Sequence, residues 1–500
     1  MTSVPIDRVI EEVYRSLRKG DIVRTVGMVK ELARQARQDP RSRLLQAKTA
    51  IEFGQAAEAV KLLETLVFEL TGEQLSSATI DLARAQMMAG DLESAHTTIR
   101  PEIEAETPAP AAIAVAAQIQ FQMGNEAEAL SLLDNASPDE KHAYEIARAR
   151  GYVALDTGAD NPDLANREQA AIETLKAETQ RVGVPACALM PMLIDLGELL
   201  ARRGEDEQAA RAWKRSAGLN PNRIDPRTYA KSVADLAGSW NDKAVSRART
   251  AESGPGGDTE RPVFIVGLPG GSASLAAAVL SAHPDIVIAG DREALTAAVG
   301  RHLAPASAEG QPIVPDPAKL TGKQLASAAE VYLSRTASGA ETASRVVDPF
   351  ELNLHTLGVI PQLFPKATVI FIKRDPFDAC LASMLAHRDP RLLYVHDPRA
   401  LAVFAGGLRR LVDLWEGIFS GDDLPLRHTT IDHDALISDP AARKALFEEI
   451  GMEAPDDSAL EAAVKVATRN TPCQSGLGAR FASNLTQLAE AAAHVGTDQT

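Results

Sequence analysis

Cysteine is scarce: three residues in five hundred, Cys187, Cys380 and Cys473, far apart and without metal-type spacing, which excludes a disulfide framework and a zinc site. No run of eighteen apolar residues occurs, so no membrane span is expected. Aromatics make up only 4% of the chain, and abundant Ala and Leu lean toward helix. Positive charge is short as well, with 52 Lys and Arg against 68 Asp and Glu, a formal charge of -16. That balance opposes non-specific nucleic-acid binding and leaves room for a local basic pocket around a small anion. The opening "MTSVPIDRVIEEVYRSL" carries acidic residues early and lacks the basic and apolar regions of a secretory signal, so the expected location is cytoplasmic. Five hundred residues exceed one core, and two or three domains are expected.

What is present in the first half is repetition. Glycines recur at Gly20, Gly54, Gly90, Gly124 and Gly158 with spacings of 34, 36, 34 and 34, and Gly204 follows after 46. Five residues after Gly54, Gly90, Gly124 and Gly204 come Ala59, Ala95, Ala129 and Ala209. Four further on stand Leu63, Ile99, Leu133 and Trp213, on the same helical face because i and i+4 stack. Ala47, Ala83, Ala117 and Gly197, each seven before its glycine, let paired helices approach closely. This grammar resembles the tetratricopeptide repeat, a helix-turn-helix unit of about 34 residues. The resemblance implies a superhelical array over residues 1–240 whose concave face holds a protein or peptide segment. Gly158 to Gly183 departs from the pattern and is read as a helical insertion.

A linker follows at 241–261, marked by "VSRARTAESGPGGDTERP" (245–262), and the texture then changes. The runs "PVFIVG", "DIVIAG", "SRVVD" and "ATVIFIKR" alternate with helical stretches, the sign of a mostly parallel α/β sheet. In "PVFIVGLPGGSASLAAAVLSAHPDI" a strand runs into a small-residue loop and then a helix, the geometry in which main-chain amides attract phosphate. The loop lacks G-x-x-x-x-G-K-[ST], so nucleotide triphosphatase chemistry has no lysine to use. Alone it favours a plain α/β turn over a ligand site.

This stretch, together with "VVDPFELNLHTLGVIPQLFPKATVIFIKRDPFDACLASML", "LVDLWEGIF" and "IDHDALISDPAARKALFEEIGM", is similar in order and spacing to the sulfotransferase family. The fold the resemblance implies is a tetratricopeptide-like helical array followed, over 262–490, by a P-loop-type α/β sulfotransferase domain with a central parallel sheet. The activity it implies is transfer of a sulfuryl group from 3'-phosphoadenosine 5'-phosphosulfate to a hydroxyl of a protein, peptide or glycan, without a metal. Pro269, Gly270, Gly271, Ser272, Ala273 and Ser274 would hold the 5' end. Arg374, at the end of a strand, would take the 3'-phosphate, since arginine suits bidentate contact. The family's partner serine falls at Ala382, with Ser383 next to it and about 100° round the helix. Asp291 is the candidate general base, with Glu293 in reserve; Asp291 reads equally as a helix N-cap. The family's loop cation falls at Gly270 and its second lysine at Pro349, after Asp348. Two readings therefore stand: an enzyme, and a catalytically inactive scaffold. The oligomeric state leaves no sign in the sequence.

Overall fold

The computed structural model describes residues 6–52, 55–136, 142–157, 161–222, 225–250, 259–270, 272–289, 294–300, 302, 320–336, 342–385, 393–469 and 471–495. Residues 1–223 with 387–393 gather into one compact unit, and residues 224–386 with 394–500 into another. No helix among the described residues is long and apolar enough to cross a membrane.

The first unit is six helix pairs: α1 (Ile6–Lys19) with α2 (Ile22–Gln35), α3 (Pro40–Glu52) with α4 (Ala56–Leu66), α5 (Gly72–Met88) with α6 (Leu92–Ile103), α7 (Pro110–Gln122) with α8 (Glu126–Asp134), α9 (Ala143–Asp156) with α10 (Leu164–Gln180), and α11 (Ala186–Arg202) with α12 (Asp206–Leu219). In four of the pairs the recurring glycine stands one or two residues past the first helix. Gly20, Gly90, Gly124 and Gly204 hold φ of 71°, 84°, 84° and 76°, a left-handed turn that glycine enters without a Cβ penalty. After each, the next amide reaches back to a helix carbonyl: Asp21 to Ser16, Asp91 to Gln86, Asn125 to Gln120 and Glu205 to Leu200. Asp21 and Asp91 then cap the second helix by accepting from the amides of Arg24 and Ser94. Ala59, Ala95, Ala129 and Ala209 are fully buried, as are Leu63, Ile99 and Leu133, with Trp213 almost so. A Cβ on Gly197 would lie 2.1 Å from the Trp213 Nε1, so the small position makes room for that ring. Gly54 and Gly158 lie outside the described residues.

Gly158 to Gly183 is not an insertion between repeats. Its helix, α10, is the second member of the fifth pair. α10 runs 17 residues against 9 in α8, and Ala171 and Leu175, buried four apart, take the packing role that Ala129 and Leu133 have one pair earlier.

In the second unit, helices α13 (Pro226–Ser239) and α14 (Asp242–Thr250) precede β1 (Pro262–Gly267), α15 (Ser272–Leu280), β2 (Ile286–Ile288), α16 (Ala294–Gly300), α17 (Gly322–Thr336), β3 (Arg345–Asp348), α18 (Ile360–Leu363), β4 (Thr368–Lys373), α19 (Pro376–Leu385), α20 (Pro398–Ser420), β5 (Arg427–Asp432), α21 (His433–Ser438), α22 (Pro440–Glu449), α23 (Asp457–Ala467), α24 (Leu477–Phe481) and α25 (Thr486–Ala492). The strands form one sheet in the order β2-β3-β1-β4-β5, all pairs parallel. β1 lies in the middle and is buried at every residue, as a strand covered on both faces must be. On one face Val263 and Ile265 meet Leu275 and Val279 of α15, with Phe447 and Leu460 in the same core. On the other, Phe264 packs against Tyr332 of α17, ring centroids 5.5 Å apart. The result is a three-layer arrangement around the expected parallel sheet, with β1 and β4 running side by side and ending at the same level.

Helix α13 packs with the α/β half, although its Ser- and Ala-rich pattern reads like one more repeat helix. The Tyr229 hydroxyl lies 2.9 Å from Nε2 of buried His355, and the Trp240 indole meets Trp415 edge-on at 5.2 Å.

Candidate active site

Parallel α/β sheets present ligand sites at the carboxyl ends of their strands. Here the ends of β1 and β4 bring the loop 268–270 against Arg374. Gly270 has φ of 137°, a conformation that L side chains rarely adopt, and its Cα faces helix α19 directly. A Cβ there would lie 2.8 Å from the Ser383 nitrogen, 2.9 Å from the Ala379 carbonyl oxygen and 2.9 Å from the Ala382 Cβ. The Ser383 hydroxyl donates to the Pro269 carbonyl. The loop therefore rests on α19, and glycine and alanine at 270 and 382 let it do so.

Arg374, 8% exposed, is held by carbonyl oxygens. Its Nη1 donates to Gly270 and to Pro472, both at 2.7 Å, and its Nη2 donates to Gln474 at 2.7 Å. Burial works against its charge and lowers its pKa; the carboxylate of Asp378 is the first of the opposing influences, ahead of Asp434 and Asp375. Asp378 is itself buried and accepts from the amides of Leu477 at 3.0 Å and Gly478 at 2.5 Å. Arginine and aspartate of "KRDPFD" thus fasten one strap, residues 472–478, across the loop. Arg480, in the same segment, stacks 4.8 Å over the Phe481 ring.

Two buried polar atoms at this edge have no hydrogen-bond partner among the described residues: the Ser272 hydroxyl at the start of α15 and Nε of Arg374. His433 opens α21 directly after β5, is fully buried, and lies close to the Cys473 main chain and to Arg374. Sequence reasoning missed both the strap contacts and His433. The only signal for the latter was its place immediately after a strand, in "IDHDAL".

Of the remaining candidates, Ala273 is buried and Ser274 exposed on α15. Asp348 ends β3 at 1% exposure and accepts from the Phe350 amide and the Tyr332 hydroxyl, so it is engaged within the core. Lys373 is exposed at the end of β4. His283, between α15 and β2, accepts at Nδ1 from the Asp285 amide at 3.1 Å. Gly271, Asp291 and Glu293 lie outside the described residues.

Two histidines of this unit set its acid behaviour. Burial depresses His355 to about 4, and burial followed by the charge of Arg374 depresses His433 to about 3. An exposed imidazole titrates near 6.5, so the unfolded chain binds protons first as the pH falls. Stability from these neutral rings is complete above about pH 6.5 and is lost between there and pH 4 to 3, by about 1.4 kcal/mol per pH unit for each ring. Urea midpoints at pH 7, 6 and 5 should fall accordingly, and replacing both histidines by glutamine should flatten that dependence.

Residues 262–456, which contain the loop, Arg374 and His433, match the model of the sulfotransferase family. The second unit carries a sulfotransferase-family domain. An uncharacterized protein of Aquifex aeolicus (strain VF5) is 24% identical over 205 residues, 37% of this chain and 25% of that protein. The chain thus spans about a quarter of the length of the curated relative it matches. The crystal structure of the yeast Tom70 aligns with 97% of this chain and 98% of its own at 10% identity and a TM-score of 0.21, a superposition too loose to bear an argument. The family match supports sulfuryl transfer as the general class of chemistry.

Proposed function

We propose that the second unit binds 3'-phosphoadenosine 5'-phosphosulfate and passes its sulfuryl group to a hydroxyl on a protein, peptide or glycan, with the helical array holding part of a protein acceptor. The observation that carries this reading is the Ser272 hydroxyl. It is buried, unpaired among the described residues, and set at the first residue of the helix that follows the central strand. A hydroxyl with the amides of a helix N-terminus is a fitting set for the 5' phosphosulfate. The 3'-phosphate has a guanidinium within the same edge, at Arg374. Its Nη atoms are bonded to carbonyls, so gripping a phosphate means exchanging those bonds. When bound, the nucleotide supplies the activated sulfuryl group; the chain supplies orientation and positive charge. Asp291, with Glu293 in reserve, remains the proposed base for the acceptor proton.

A second reading rests on a specific observation. The place of the family's loop cation is Gly270, packed against α19, and the forks of Arg374 already hold three carbonyls. A domain so engaged serves as an inactive lobe attached to a repeat scaffold. Calorimetric titration with 3'-phosphoadenosine 5'-phosphate separates the two. The enzyme reading expects saturable heat that Ser272→Ala weakens roughly tenfold to a hundredfold, the worth of one hydrogen bond to a charged group. A heatless titration of folded protein would overturn it in favour of the scaffold.

A further inference from the structure

Helices α8, α9 and α10 of the first unit meet around a cavity of about 260 Å³. Its floor is apolar: Leu130 and Leu133 of α8, Val153 and Ala154 of α9, and Ala170 and Ala171 of α10. Its rim carries charge, from Asp134, Arg150, Asp163 and Arg167. Asp134, Asp163 and Ala170 are exposed, so the cavity opens to solvent on that side. At about 30 Å³ for a water in the liquid the space equals roughly nine waters, and a more tightly packed organic molecule would place roughly nine to a dozen non-hydrogen atoms in it.

Two of the rim charges are spent on each other. Nη1 of Arg150 lies 3.0 Å from the Asp134 carboxylate, and its Nη2 donates to the Leu133 carbonyl at 2.9 Å. The other two are not. Arg167 gives its Nη1 to the carboxylate of Glu126, which Asn161 also meets with its Nδ2 at 3.1 Å. Nε and Nη2 of the same side chain, which is only 16% exposed, find no acceptor among the described residues. Asp163 lends its main-chain amide to the Asn161 Oδ1 at 2.9 Å and stands at the N-terminus of α10 without making a capping bond. Its carboxylate has neither a donor nor a cation among the described residues. Residues four apart on a helix hold their Cβ atoms about 5–6 Å apart on one face, so an open guanidinium edge and an open carboxylate stand side by side over an apolar floor.

We propose that this cavity binds a free α-amino acid with an apolar side chain between leucine and phenylalanine in size. The ammonium faces Asp163, the carboxylate takes the open edge of Arg167 in the paired geometry that arginine favours, and the side chain covers the floor. The occupant needs both charges on one carbon because both are offered within one turn of one helix. A carboxylate alone leaves Asp163 unanswered, and an amine alone leaves Arg167 so. The main chain of a polypeptide carries neither charge along its length, and a terminus carries one. The site belongs to the first unit alone and stands apart from the sulfuryl-transfer reading.

Calorimetric titration of the full chain tests it. Leucine or phenylalanine should bind saturably, with a Kd on the order of 0.1–1 mM for a ligand of this size. N-acetylphenylalanine lacks the ammonium and phenylalaninamide lacks the carboxylate. Each should bind roughly tenfold to a hundredfold more weakly than phenylalanine, the worth of one hydrogen bond to a charged group. Asp163→Asn keeps a side chain suited to a helix N-terminus and should weaken phenylalanine by the same factor. Ala170→Trp puts a large side chain at an exposed helix position and should fill the cavity and abolish binding. The proposal is overturned if folded wild type gives no saturable heat with either amino acid at concentrations well above that Kd. It is also overturned if either folded variant binds phenylalanine as tightly as the wild type. Equal binding of N-acetylphenylalanine and phenylalanine overturns it too, since a side chain within a polypeptide would then serve as well. Should Ala170→Trp lose helicity, Asp163→Asn and the blocked ligands decide.

Discussion

Replacing Gly270 by alanine is expected to accelerate amide exchange in β1 and α19 about a thousandfold, the equivalent of about 4 kcal/mol of lost stability. Two costs add. The backbone at φ of 137° is a conformation that side chains rarely adopt, worth of order 1–3 kcal/mol. The new methyl also meets the Ser383 nitrogen, the Ala379 carbonyl and the Ala382 Cβ, all within 2.9 Å. Two of these are helix backbone, so relief requires the loop or α19 to shift, at about 1–3 kcal/mol for overpacking. Unchanged exchange would show that the loop does not rest on the helix. The same geometry bears on catalysis. Gly270→Arg, which restores a cation where the family has one, should destabilise at least as much and give no gain in transfer, because its Cβ occupies the same spot.

The elements that could be read from the sequence are those whose residue types carry their own reason. "PVFIVG", "SRVVD" and "ATVIFIKR" became β1, β3 and β4 because buried parallel strands need unbroken apolar runs. The repeat glycines and alanines became turn ends and buried contacts because only small residues satisfy those positions. β5, "RHTTID", carries no apolar run: as an edge strand it has a single buried residue, Ile431, and it showed only through its resemblance to a strand-to-helix segment. Helix α13 shows what an amphipathic pattern leaves open. The pattern says that a face is buried and does not say against what; Tyr229 chose His355 and Phe404.

The site divides in the same way. Arg374 was legible because a strand end is a ligand position, and the loop because strand, small residues and helix come in that order. The strap was illegible because main-chain carbonyls of Pro472 and Gln474, about a hundred residues from Arg374, leave no residue-type trace. Any residue could stand at those two positions and offer the same oxygen. Asp378 is similar, since it reads the amides of Leu477 and Gly478.

Arg374→Ala is the second large effect, and its control decides which role the guanidinium plays. Removal leaves the carbonyls of Gly270, Pro472 and Gln474 without their donor and deprives buried Asp378 of a neighbouring positive charge. Breaking one side of such a buried charged arrangement costs about 3–5 kcal/mol. Exchange in residues 471–481 should rise steeply while the centre of β4 changes less. Lost nucleotide binding in this variant would by itself be ambiguous, because the loop loses its support at the same time. Asp378→Ala loosens the same strap and keeps the guanidinium. If Arg374 grips a phosphate, Asp378→Ala should hold or gain affinity for 3'-phosphoadenosine 5'-phosphate, since it frees the forks, while Arg374→Ala abolishes it. If Arg374 is only a staple, both variants loosen the strap equally and titrate without heat, as the wild type then does too.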